Sequence, residues 1–364
     1  MTKYSIHKFT PFQYTEYPIN DFPLDQMTGK HWLYASCGKA ALFHCLKSLS
    51  VSGKILIPNY VCKSVLRPII RLHLTPIFYD CNALDLNYNY EDIVHKLDIY
   101  PDIQCVLVAS MYGNPADLSK LEKLCKERHV LLVDDAAQSF GSIIDNRFVG
   151  TYGDAGFFSF SPGKATPGHM GGFFWTRNDQ YAFTHKNHVL YHRLMYWSYY
   201  LNRWKVEQYY KYKIFGLLPY IIALLSKVVD VYYDRMCDFE VPILGGILLK
   251  NKVQIFRTQF VNEIAKLTEN IPTCRLVTIG GKGSNNHKLV YIFEDSKKAS
   301  RFVVFMKGKG IYTQLGYKPL FLKADTPNVL SLYLRVVEIP VEEDIVKQNI
   351  IKSSIDQYLN SIEK

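Results

Sequence analysis

The chain holds eight cysteines but no CxxC pair and no regular cysteine framework. Cys37, Cys45, Cys105 and Cys125 lie in apolar stretches, where a thiol behaves as a small buried hydrophobe. That usage argues against a disulfide scaffold and suits a reducing compartment. No apolar signal-peptide core is found in residues 1–11. The longest apolar run, residues 214–225, is interrupted by Gly216 and Pro219 and is too short to span a bilayer. The expected location is the cytoplasm. Nor is there a compact Lys/Arg run of the kind that binds nucleic acid. The net charge of +10 is dispersed, and it suits anionic metabolites as partners.

What is present is an ordinary globular composition, 48% hydrophobic and 21% charged, with little room for long disorder. A chain of 364 residues buries a substantial core and is expected to form two domains. The first half alternates short apolar runs with helical patterns. Strands are predicted at 54–58, 76–80, 104–110, 130–134, 155–160 and 172–176. Helices are predicted at 61–72 and at 117–128, the latter with Leu118, Leu121, Leu124 and Cys125 on one face. This alternation indicates an α/β domain with a largely parallel sheet.

Residues 191–233 differ, being crowded with tyrosine, tryptophan and basic side chains. They read as helices packing on the main domain or on a second subunit, with an interfacial membrane patch as the alternative. From about residue 239 the α/β pattern resumes, with a helix at 250–270, strands near 289–293 and 329–336, and a helix at 300–307. The expected division is a large domain over 1–235, including the aromatic segment, and a smaller C-terminal domain over 239–364.

Three features suggest chemistry. Cys37-Gly38-Lys39 is a small-residue turn opening a helix, where free N–H groups and the helix dipole favour a phosphate and Lys39 adds charge. The predicted strand 130–134 runs into Asp135-Ala136-Ala137-Gln138. Two successive acids at a strand end cannot both be buried without partners, so one of them requires a cation or a solvated N-cap position. Finally, the apolar strand at 155–160 leads through Ser161-Pro162-Gly163 to Lys164. Desolvation there lowers a lysine pKa and makes the amine a nucleophile able to form Schiff bases.

The order of a phosphate turn, a strand-end aspartate, and a serine five residues before a lysine resembles the fold-type I pyridoxal-phosphate (PLP) enzymes. In detail it is similar to the DegT/DnrJ-type sugar aminotransferases. The likeness runs from about Cys37 to Thr176. It is closest across Met-Tyr-Gly-Asn-Pro-Ala-Asp (111–117), Val-Asp-Asp-Ala-Ala-Gln-Ser-Phe-Gly (133–141), Val-Gly-Thr-Tyr-Gly-Asp-Ala (149–155) and Phe-Ser-Phe-Ser-Pro-Gly-Lys (158–164).

The resemblance implies a PLP-transferase large domain with a mostly parallel central sheet and a smaller C-terminal α/β domain. It implies pyridoxal 5'-phosphate as cofactor, with Lys164 holding it as a Schiff base and moving the proton during transamination. Asp135 would pair with the pyridinium nitrogen, Gln138 would lie against the ring or its 3-hydroxyl, and Ser159 would bind the phosphate with the amides of Gly38 and Lys39. The implied substrates are a nucleotide-linked keto-sugar and an amino-acid donor such as glutamate, and the implied assembly is a homodimer.

The departures are as definite. Cys37-Gly38-Lys39 stands where the family has Ser-Gly-Thr, so a hydroxyl ligand is exchanged for a cation. Cys62 stands where an aromatic residue stacks on the ring, leaving Tyr60 as the nearby aromatic candidate. Met170 replaces an acid before Gly-Gly, and the Asn-Tyr-Arg segment of the partner subunit is not found. Lys186-Asn187-His188 resembles the family segment after the cofactor loop. Two other readings stay open: PLP chemistry on a different acceptor, and a non-catalytic binding subunit. Sugar dehydration on this scaffold goes with a histidine in place of the lysine, and Lys164 is a lysine.

Overall fold

The computed structural model describes residues 24–35, 37–161, 163–165, 171–182, 253–269, 271, 273–277, 283–342 and 344–362. The aromatic segment 191–233, the apolar run 214–225, residues 186–188 and Met170 lie outside these described residues.

The N-terminal part is built on one sheet. Its strands are β1 (Leu33–Ala35), β2 (Lys54–Pro58), β3 (Thr75–Tyr79), β4 (Ile103–Ala109) and β5 (Leu131–Asp135). A small hairpin of β6 (Ile143–Ile144) and β7 (Arg147–Phe148) precedes β8 (Ala155–Ser159) and β9 (Gly172–Thr176). The seven-stranded order is β1-β9-β8-β5-β4-β2-β3. The pairings from β3 through β2, β4 and β5 to β8 are parallel, and β9 runs antiparallel to both β8 and β1. The expected mostly parallel α/β sheet is therefore present.

The strands read as near-continuous apolar runs because both faces of the sheet are covered. One face packs Val133 and Phe157 against Ala41, Leu42 and Cys45 of the helix Gly38–Ser48. The other packs Leu132 and Val106 against Leu118, Leu121 and Leu124 of the helix Leu118–Glu127. Asp117 starts that helix by accepting the Lys120 amide at 3.1 Å. Fully burying each such leucine stabilises the fold by roughly 1.5–3 kcal/mol.

A second sheet holds β10 (Cys274–Leu276), β11 (Lys288–Phe293), β12 (Gln314–Leu315) and β13 (Val336–Pro340), in the order β10-β11-β13-β12 with every pairing antiparallel. The helices Val253–Thr268, Ser296–Gly308 and Ile345–Ile362 cover it, sharing a core that includes Ile264, Phe302, Tyr291 and Ile355.

Two sequence expectations need correction. The strand expected at 329–336 is a helix, Pro327–Leu332, followed by β13 at Val336–Pro340. Pro327 occupies the first turn, where its missing N–H costs nothing. The next two amides, of Asn328 and Val329, donate to Asp80 Oδ2 and Oδ1 at 2.8 and 2.9 Å. That cap comes from 248 and 249 residues away and leaves no local trace. The helix expected at 61–72 shortens to a 3-10 turn, Lys63–Val65, and a helix, Leu66–Arg71, because Pro68 is tolerated only within a first turn.

The two sheets are tied by polar clasps. Asn59 at the end of β2 donates to Phe321 O (3.1 Å) and Thr326 Oγ1 (2.7 Å) and accepts from Phe321 N (2.9 Å). Together with the Asp80 cap, it fixes the second sheet beside the carboxyl ends of the first. Asp80→Ala is expected to destabilise the protein by about 1–2 kcal/mol, the usual cost of an N-cap loss. Urea unfolding measures it, and an unchanged midpoint would show that the cap contributes nothing.

Candidate active site

Ligands of open α/β sheets sit beyond the carboxyl ends of the parallel strands. A cavity of about 330 Å³ opens there, past the ends of β5 and β8. Gly38, Lys39, Asp135, Gln138, Ser159 and Lys164 all line it. Six residues spread over 127 positions of sequence are thus brought to one wall.

The helix Gly38–Ser48 begins at the cavity, and its N-cap residue Cys37 makes no side-chain cap bond. N–H groups of a helix's first turn, together with the helix dipole, favour an anion at such a start. Gly38 lies against β8 so closely that a Cβ on it would sit 2.6 Å from Ser159 Cβ. Only glycine lets the helix start there with the Ser159 hydroxyl alongside. Ser159 Oγ donates to Ser161 Oγ at 3.3 Å.

Strand pleating sends the two acids of β5 to opposite faces. Asp134 is fully buried, and its Oδ2 accepts from the amides of Gly150 (2.6 Å) and Tyr152 (3.3 Å). Its Oδ1 has no partner among the described residues. Burial pushes its carboxyl up to about 7 against the pull of those amides. Asp135 faces the cavity, with Oδ1 accepting the Ala137 amide at 2.9 Å. Burial raises it to about 6, opposed by that amide and by the charge of Lys164. Lys164 is half-buried at the wall, and desolvation holds its amine below the ordinary lysine range, with Cys62 and Asp135 acting in the other direction.

Gln138 follows on the same wall. Its Nε2 reaches Met111 Sδ at 3.7 Å, and its Oε1 has no partner among the described residues. A buried amide oxygen left open beside a cavity is what a site with room for a ligand requires. The carbonyls of Gln138 and Phe140 accept from Asn285 Nδ2 at 2.9 and 3.1 Å, so the segment leading into β11 holds this loop from behind.

Tyr60 is placed differently. It does not line the cavity; it is buried, and its hydroxyl shares a hydrogen bond with Tyr112 at 2.8 Å. Its ring meets that of Tyr317 edge-on, with centroids 5.8 Å apart. Tyr317 itself reaches the cavity, with Cys62 also on its wall. Three lining residues come from the second half of the chain: Lys288, Gln314 and Tyr317. Lys288 and Gln314 lie on antiparallel strands, which carry no motif, and no sequence signal singled out any of the three.

Raised carboxyl pKa values set a pH dependence. A group more basic in the folded than in the unfolded chain binds extra protons when folded, so its stability contribution is lost as pH rises through that interval. For Asp134 the interval runs from the ordinary 3.8 to about 7. Asp134→Asn, which keeps an oxygen for the Gly150 and Tyr152 amides, is expected to flatten the fall in stability of the cofactor-free protein between about pH 4 and 7. Thermal melts of wild type and variant across that range test this, and parallel curves would exclude a raised Asp134.

Residues 25–202 match the DegT/DnrJ/EryC1/StrS aminotransferase family. Among curated proteins, GDP-perosamine synthase of Vibrio cholerae is 26% identical over 152 residues, which is 41% of this chain and 41% of that one. The chain thus matches about two fifths of the length of that relative. A dTDP-4-dehydro-2,3,6-trideoxy-D-glucose 4-aminotransferase of Saccharopolyspora spinosa is 21% identical over 329 residues, covering 88% of this chain and 78% of that one. Among solved structures, Spr1654 of Streptococcus pneumoniae in its PLP-form superposes with a TM-score of 0.72 at 15% identity, covering 99% of this chain and 98% of the other. At that identity the likeness is one of fold. Among the described residues, no helix is long and apolar enough to cross a membrane.

Proposed function

We propose that this chain, matched to the DegT/DnrJ/EryC1/StrS aminotransferase family over residues 25–202, is a pyridoxal-phosphate-dependent aminotransferase that moves an amino group from an amino acid to a nucleotide-linked keto-sugar. The observation that carries the reading is the gathering of Lys164, Asp135, Gln138, Ser159 and the N-terminus of the helix Gly38–Ser48 around one cavity. The named activities of the matched relatives support the substrate class. The basic balance of the chain suits a diphosphate-bearing acceptor.

The residues fit such a cofactor on their own chemistry. The first amides of the helix Gly38–Ser48, the Lys39 charge and the Ser159 hydroxyl offer a phosphate site. Asp135 presents a carboxylate to the cavity, where it would hold a proton on a pyridine nitrogen, and the open Oε1 of Gln138 gives the ring a polar neighbour. When bound, pyridoxal phosphate supplies an electron sink for the carbon that loses its proton. Lys164, whose amine desolvation holds below the ordinary lysine range, would be the nucleophile that carries the cofactor. With the cofactor bound, the Lys164 amine would be the base that takes and returns the proton of the donor carbon. The cationic partner that Asp135 needs would relieve the cost of its burial.

We further read the chain as a large domain over 1–235 and a small one over 239–364, acting as a cytoplasmic homodimer. A lysine at 164, rather than a histidine, favours amino transfer over sugar dehydration.

Purified protein with added pyridoxal phosphate is expected to show a visible absorption band that Lys164→Ala lacks and that L-glutamate bleaches. No band in the wild type would sink the proposal. In Gly38→Ala the new Cβ must displace Ser159, and the dissociation constant for the cofactor is expected to rise at least about tenfold, equivalent to about 1.4 kcal/mol. Fluorescence titration measures it, and equal affinity would remove Ser159 and this helix from the phosphate site.

A further inference from the structure

Lys288 and Glu338 form a buried ion pair at the edge of the cavity. Lys288 opens β11, Glu338 lies on β13, and the register sets them as diagonal neighbours on one face, with Lys288 opposite Pro340 and Val290 opposite Glu338. Their side chains are 10% and 2% exposed, so both charges are largely out of water. Lys288 Nζ donates to Glu338 Oε2. Glu338 Oε1 accepts from Gln314 Nε2 at 2.7 Å, and Gln314 Oε1 accepts from the Tyr312 hydroxyl at 2.7 Å. The ring of Tyr112 lies 5.4 Å from the ammonium.

A buried ion pair is weak support for stability, because desolvating both charges offsets their attraction. This pair also has a direction. Lys288 and Gln314 line the cavity and Glu338 does not, so the cationic member of the pair is the one on the cavity side. An ammonium carries three N–H donors in a fan, and Glu338 needs one.

Three cations line the cavity among the described residues: Lys39, Lys164 and Lys288. Lys39 lies at the start of the helix Gly38–Ser48, and Lys164 is the nucleophile of the aminotransferase reading. An amino-acid donor also brings an α-carboxylate that must be held while its nitrogen reacts. The geometry points to Lys288 as the residue that binds this carboxylate, with its ammonium held by Glu338, which Gln314 holds in turn. This assignment rests on the aminotransferase reading and names the donor-side ligand of the same site. Glu338 locks the stem in place, so the ammonium is preorganised and little rotamer entropy is lost when the donor arrives.

The test uses the holoenzyme and glutarate, a dicarboxylate that cannot react. Isothermal titration is expected to show glutarate binding at least about tenfold weaker in Lys288→Met, with Lys288→Arg retaining most of the affinity. In single-turnover bleaching of the cofactor band, the ratio of the rate with L-glutamate to that with 1-aminopropane, which has no carboxylate, is expected to fall about tenfold or more in Lys288→Met. If Lys288→Met does not fold, Lys288→Gln keeps a donor for Glu338 while removing the charge, and the same two readouts apply. Unchanged glutarate affinity, or equal losses on both amines, would overturn the assignment and leave Lys288 a structural partner of Glu338. Absence of a cofactor band in the wild type would instead sink the aminotransferase reading.

Discussion

Strand β5 ends in Asp134 and Asp135, both removed from water, and the surroundings are arranged to make that tolerable. Unpaired buried charge is among the most costly arrangements a fold can contain. Pleating sends the two side chains to opposite faces, so they do not compete for one solution. Asp134 is answered by backbone, through the amides of Gly150 and Tyr152 in the turn that leads into β8. That turn packs tightly: a Cβ on Gly156 would sit 2.0 Å from Gly150 O, and Trp175 Nε1 donates to the same carbonyl at 2.6 Å. Asp135 is answered only in part, by the Ala137 amide, and its remaining capacity is turned toward the cavity and Lys164. One acid shapes the backbone around the site, and the other is left for chemistry.

The second sheet completes this wall, with Val290 and Val336 sharing a hydrophobic cluster with Ile57 and Ala109 of the first. Asn59 and Asp80 clasp the chain between residues 321 and 329 to the ends of the first sheet. Asn285 holds the Gln138 loop from behind. Three residues further on, β11 begins with Lys288, which enters the cavity. Gly113, with φ of +86°, keeps this approach open, because a Cβ there would lie 1.9 Å from Asn285 Oδ1. The backing of Gln138 and the placement of Lys288 are therefore consequences of one contact.

The sequence was most informative where each element must satisfy local rules. Apolar runs of four to seven residues had to become buried strands, and β2 and β9 fall on the predicted boundaries. The wall residues Gly38, Asp135, Ser159 and Lys164 stand at strand ends or a helix start, positions that motif and periodicity mark. Tyr60 sits beside the site in sequence, yet its ring belongs to a buried cluster with Tyr112 and Tyr317. Side-chain direction in a turn depends on which partner fills the space, and here that partner is some 250 residues away.

The sequence by itself thus determined the class of sheet, the order along the chain of all its strands but β1, and the identity of the groups at the strand ends. Burial periodicity and the chemistry of a helix start are local properties, and they survive in one dimension. Only the tertiary structure decided that residues 327–332 form a helix, that Tyr60 turns away, and that Lys288 and Gln314 share a wall with Lys164. Those outcomes depend on hydrogen bonds and desolvation between segments that fold apart and then meet, and no short stretch of sequence encodes the meeting.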